Sequence, residues 1–109
     1  MTNIRLIANR NRIGFKADGH AENRYACGKI SIMCQAMAEA ILARAPVESV
    51  NGYTEGTGKT EIIADISGIS EAEYRELLTI LGVGQIGFSI IQVQFPGSLD
   101  IAFENSAEG

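Results

Sequence analysis

Few residues in this 109-residue sequence carry reactive side chains: one histidine, His20, and two cysteines, Cys27 and Cys34. An imidazole beside a thiol can take the thiol proton, release a nucleophilic thiolate and later protonate a leaving amine. His20 is flanked by Gly19 and lies fourteen residues before Cys34, with small and polar residues between them. That spacing is short enough for a turn to fold the ring back towards the sulfur. Ser31 reads as the N-cap of a helix, which sets Cys34 about three residues into it. There the first-turn amides and the helix dipole would favour a thiolate and help to bind an oxyanion. The residues also fit a plainer reading. A lone helical cysteine is usually a small buried hydrophobe, and a histidine at a strand end is usually a surface or capping residue.

Other chemistries are less well supported. Two cysteines are too few for a disulfide framework, although a local Cys27–Cys34 bridge stays open, and with one histidine they make a poor metal site. Gly52–Thr60 approaches a phosphate-binding loop, but the first glycine is displaced by one position, with Tyr53 where it should stand. A strand rather than a helix is expected after Thr60, so no helix N-terminus would meet a phosphate. Gly82–Gly87 matches the dinucleotide pattern GxGxxG but falls late in a helical segment instead of between a strand and a helix. Close helix packing explains those glycines better. No cofactor or metal is expected.

The elements that must position His20 and Cys34 follow from periodicity. Asn3–Ala8 and Ile13–Asp18 alternate as two strands of a hairpin joined by a polar turn over Asn9–Arg12. Gly19–Gly28 reads as a loop, placing Cys27 in it. The helix from Ser31 runs to about Arg44, with Met33, Met37 and Ile41 on one face, and Pro46 ends it. Ser49–Thr54 and Thr60–Ile66 form a second strand pair around a glycine-rich turn. Ser70 and Glu73 make a capping box for a helix beginning at Glu71. That helix is expected to continue through its glycines to about Gln94, because nothing stops it before Pro96. Ser98–Glu104 is a final strand, and Asn105–Gly109 is expected to be a disordered tail. The order β-β-α-β-β-α-β predicts an α+β fold over residues 1–104, with two helices packed on a mainly antiparallel sheet.

Composition bounds the function. Net charge is −4 and the pI about 4.9, which argues against direct nucleic-acid binding. Arg5, Arg10, Arg12 and Lys16 read as solvated strand edges. Glu22, Glu48, Glu55 and Glu61 could attract a basic peptide. No segment reads as an export signal or a membrane span, so a cytoplasmic location is expected.

Gly19-His20-Ala21, a glycine-containing loop and the run Gly28-Lys-Ile-Ser-Ile-Met-Cys34-Gln-Ala36 resemble the ribosomal-processing cysteine protease (Prp, YsxB-like) family. Gly52-Tyr53, the long second helix and the Phe95-Pro96 step extend the likeness along nearly the whole chain. The resemblance implies a homodimeric bacterial or phage endopeptidase that removes a short N-terminal segment from a ribosomal protein, or by extension a phage structural protein. It makes Cys34 the nucleophile and His20 the base. It also makes Ala21–Ile30 a mobile cover, with Gly19, Ala21, Gly28 and Ser31 at loop and substrate-facing positions. This chain departs from the pattern in three ways. Lys29, Ile30 and Ser31 fill the stretch where relatives carry an Asp, the loop is about two residues longer, and Ala38 replaces a serine one turn after the cysteine. Those departures keep a second reading open, a non-catalytic binding or assembly module on the same fold.

Overall fold

The computed structural model describes residues 1–45, 50–56 and 58–104, with 50–56 described as backbone only. Pro46, Glu48, Ser49 and the tail from Asn105 lie outside the described residues, as does the side chain of Glu55. The elements are β1 (Thr2–Ala8), β2 (Arg12–Asp18), α1 (Arg24–Arg44), β3 (Val50–Gly56), β4 (Lys59–Asp65), α2 (Glu71–Gln94) and β5 (Leu99–Glu104). Their order is the one expected, and the class is α+β.

The strands form one five-stranded sheet in the order β3-β4-β2-β1-β5. Three of its pairings are antiparallel, and β1–β5 is parallel. Alternation sets the faces. Ile4 and Leu6, Ile13 and Phe15, and Ile62 and Ala64 are buried on the helical side. On the other side Arg5 pairs with Asp100 at 3.2 Å and Lys16 with Glu104 at 3.7 Å. The early basic residues are thus partly neutralised on a solvated sheet face. Asn9 shapes the first hairpin, its side-chain oxygen accepting from the backbone N–H of Asn11 and Arg12, each at 2.8 Å. The parallel β5 is reached only by a crossover, which α2 supplies.

The first helix starts earlier than the sequence reading has it. Asn23, not Ser31, is its N-cap and accepts from the N–H groups of Tyr25 and Ala26. The buried side chains Ala26, Ile30, Cys34, Met37, Ala38 and Ile41 form one stripe that begins a full turn before Ser31. That stripe stabilises the early turns despite Gly28 within them. Cys27, Gly28 and Ser31 are therefore helical, and Ala21–Ile30 is mostly helix rather than a loop. Cys27 and Cys34, seven residues apart on one helix, are separated by about 10 Å along its axis. This is too far for a disulfide.

The second helix is as expected. Ser70 and Glu73 form the capping box, and the helix runs unbroken to Gln94. Two of its glycines are contact points. The thioether end of Met37 lies over Gly84 and that of Met33 over Gly87, where a β-carbon would collide with them. The GxGxxG pattern is a packing device, but side chains fill the notch rather than a neighbouring backbone. The lost helix propensity, about 1 kcal/mol per glycine, is offset by these contacts. Both helices are long and apolar enough to cross a membrane by length and composition. Each, however, lays a buried stripe on the sheet.

Candidate active site

The rejected glycine-rich turn builds the site. The β3–β4 hairpin returns at Gly58, whose φ of +73° lies in the left-handed region. Register pairs Ala17 with Thr60 and Asp18 with Lys59, bringing that turn beside the end of β2. Gly19, at φ +102°, follows at once and donates its N–H to the Gly58 carbonyl at 2.8 Å. The chain is pinned there, and His20 comes next. Its carbonyl accepts from the Met1 amino group at 2.8 Å, and the Nε2 end of its imidazole lies against Gly58, where a β-carbon would collide with it. His20 is solvent-exposed and Ala21 is buried behind it.

Cys34 approaches from the other side. It hangs from α1 towards the sheet and is only 4% exposed. It opens onto a cavity of about 90 Å³ beneath the helix. Thr2, Ala17 and Thr60, all buried inner-face residues, form the sheet wall, and Ile30 joins Cys34 on the helix wall. Gly19, Gly58, Lys59 and Ser31 are the more exposed members and mark the mouth. Gly58 is thus a neighbour of both reactive residues, lining the cavity of Cys34 and supporting the ring of His20.

Two expectations about reactivity change. Cys34 lies ten residues beyond Arg24, deep within α1. The helix dipole acts mainly within the first turn, and mid-helix amides are consumed by their own i−4 carbonyls. Neither thiolate stabilisation nor an oxyanion hole can come from a first turn at this cysteine. Gly28 is exposed on the helix and does not line the cavity, whereas Ser31 reaches its mouth from within the helix.

Among the described residues, the two expected acidic side chains, Glu22 and Glu61, do not share a patch. Glu61 alternates to the sheet face opposite the helices, while Glu22 is exposed near the start of α1. Among the described residues no group of three or more His, Cys, Asp or Glu could hold a metal ion. The sequence reading missed Thr2, Ala17, Gly58 and Thr60. Their only signal was the pairing register of β2 with β4, which alternation alone does not reveal.

No protein-family model matches the sequence, and no curated protein matches it. Solved structures do. The ribosomal processing protease Prp from S. aureus in complex with a substrate peptide superimposes with a TM-score of 0.68 at 14% identity, covering 95% of this chain and all of that one. The same protease with a covalently linked product peptide gives 0.65 at 17% identity, again covering 95% of this chain and all of that one. SMU.848 from Streptococcus mutans gives 0.63 at 13% identity, covering 94% of this chain and 93% of that one. At these identities the likeness is one of fold.

Proposed function

We propose that the chain is a cysteine endopeptidase acting on an extended protein segment, with Cys34 as nucleophile and His20 as base. The observation that carries this reading is the convergence of the two residues on Gly58. His20 rests against it, and Cys34 shares a cavity with it. The fold is shared over nearly the full chain with a protease solved bound to peptides, which supports a peptide or protein partner.

In the proposed reaction His20 accepts the Cys34 proton as the sulfur attacks a substrate carbonyl carbon. The tetrahedral adduct collapses as the imidazolium gives that proton to the leaving amine, leaving a thioester on Cys34. Water, deprotonated by His20, then releases the acid and restores the thiol. The burial of Cys34 requires the substrate backbone to enter the cavity mouth, because the sulfur is otherwise shielded. The finer reading is removal of a short N-terminal segment from a ribosomal or phage structural protein in a bacterial cytoplasm. Intact-mass spectrometry during incubation with such proteins tests it. A substrate shortened at one bond, with a transient acyl adduct on wild type and none on Cys34→Ala, is the expected result.

A second reading has its own support. A thiol that is 4% exposed and far from its helix N-terminus also suits a non-catalytic binding or assembly module. Binding of the same proteins without cleavage, unchanged in Cys34→Ala, would favour it.

A homodimer forms part of either reading. Val83, Ile86, Ile90 and Val93 repeat at 3-4-3 spacing on the outer side of α2, and Tyr25 and Ile32 stand out from α1. All six are more than half exposed. The sequence has no charged residue between Glu76 and Asp100, so a second copy can cover this stripe without burying a charge. The stripe does not suit a membrane surface, which would call for lysines or arginines along the helix flanks; the last turn of α2 has none.

A further inference from the structure

Helices α1 and α2 run antiparallel along one seam, and four contacts cross it in register. Lys29 donates to the Gln94 side-chain oxygen at 2.8 Å towards one end, and Arg44 pairs with Glu76 at 3.1 Å towards the other. Between them the thioether end of Met33 covers Gly87 and that of Met37 covers Gly84. The two outer ties are solvent-exposed and contribute little. The thioethers carry the packing, each filling a notch that a β-carbon on α2 would close. Cys34 follows Met33 directly. Successive helical residues differ by about 100° around the axis. While Met33 is seated on α2, Cys34 therefore faces the sheet and its cavity. Once Met33 leaves its notch, α1 is free to roll, and Cys34 rolls with it.

The chain has three methionines, and they differ in their access to solvent. Met1 is 59% exposed and Met37 only 3%, whereas Met33 is half-buried. We infer that the Met33–Gly87 contact is an oxidant-sensitive catch, which sets the position of Cys34 and is released when hydrogen peroxide converts Met33 to its sulfoxide. In that step the thioether sulfur donates an electron pair to one peroxide oxygen and the O–O bond breaks. The oxygen stays on sulfur, which is oxidised by two electrons, and water leaves. Thiol-driven methionine sulfoxide reductases reverse the change. The new oxygen is a strong acceptor, but the Gly87 N–H in front of it is engaged by its own i−4 carbonyl. A sulfoxide held in the notch would be buried without a donor, so it swings out to water and α1 loses its hold beside Cys34. The inference does not depend on the peptidase reading, because the shift in Cys34 is the same whatever the thiol does.

The test treats wild type and Met33→Leu with hydrogen peroxide and then dithiothreitol, which returns singly oxidised cysteines to thiols. Mass spectrometry follows oxygen uptake at each methionine and, afterwards, alkylation of Cys34 by iodoacetamide. Met33 should take up oxygen well before Met37. Cys34, 4% exposed in the intact protein, should then alkylate at least about threefold faster because it is less shielded, and Tm should fall. Treated Met33→Leu should show neither change, and methionine sulfoxide reductase should restore both in wild type. Should Met33→Leu fold poorly, reversal by the reductase on wild type decides alone. A native protein in which Met33 oxidises no sooner than Met37 overturns the catch. So does full oxidation of Met33 that leaves the Cys34 rate and the Tm where they were.

Discussion

The Nε2 end of the His20 imidazole rests against Gly58, and no side chain larger than hydrogen fits between them. This contact ties the end of β2 to the β3–β4 turn, and with the Gly19–Gly58 hydrogen bond it holds the ring beside Gly58, which is itself a lining residue of the Cys34 cavity. Gly58→Ala should therefore do two things. A left-handed alanine costs about 1–2 kcal/mol, and the new methyl group displaces the ring. The expected outcome is a lowered Tm together with a loss of any peptide cleavage far beyond that seen for a destabilised control such as Ile13→Val. Equal losses in both would deny Gly58 a positioning role.

The glycines of α2 separate packing from propensity. Gly82 faces open space, whereas Gly84 is covered by Met37. Gly82→Ala should stabilise the protein by about 0.5–1 kcal/mol. Gly84→Ala should gain nothing or destabilise, because the thioether of Met37 must leave its buried seat. Thermal unfolding of the two variants checks this, and equal stabilisation by both would contradict the packing described.

Asp65 gives a pH dependence of known sign. Its carboxylate accepts from the Ser67 backbone N–H at 3.1 Å and from the Ser67 hydroxyl at 3.0 Å. These bonds, backbone first, hold its pKa below the ordinary 3.8, with Arg12 nearby adding to the effect. A depressed carboxylate stabilises the fold above 3.8, and that contribution is lost as pH falls through the lower folded value. Asp65→Asn should thus be less stable than wild type near pH 6, and the gap should close as the solution is acidified below pH 3.8. A gap independent of pH would mean that the charge plays no part.

The outer stripe of α2 predicts self-association. Ile86→Glu with Ile90→Glu should halve the mass measured by light scattering. The Tm extrapolated to low protein concentration should stay unchanged, because both side chains face outwards. A wild-type protein that is monomeric at tens of micromolar would contradict the proposed dimer.

Much of this architecture is legible in the sequence because strict alternation and two helical stripes leave little freedom. Ile4/Leu6, Ile13/Phe15 and Ile62/Ala64 declare their faces, and Ser70 with Glu73 declares a helix start. The start of α1 was obscured by Gly28 and by the weak formers Tyr25 and Cys27, which made Ser31 look like the better cap. The stripe Ala26-Ile30-Cys34 was the signal that Asn23 is the cap, and it changes the chemistry, since it removes the helix terminus from Cys34. The site itself was half legible. Reactive types single out His20 and Cys34, but Thr2, Gly58 and Thr60 join them only through strand register, which depends on long-range pairing.

The most direct test of the central claim is site-resolved alkylation of Cys34 at neutral pH by a small haloacetamide, in wild type and in His20→Ala, with Cys27 on the same helix as internal reference. If His20 serves Cys34 as base, removing the ring should slow Cys34 alkylation at least about tenfold and leave Cys27 unchanged. A Cys34 rate that ignores His20, while Cys27 reports an intact fold, would contradict the dyad and leave the binding module as the better account.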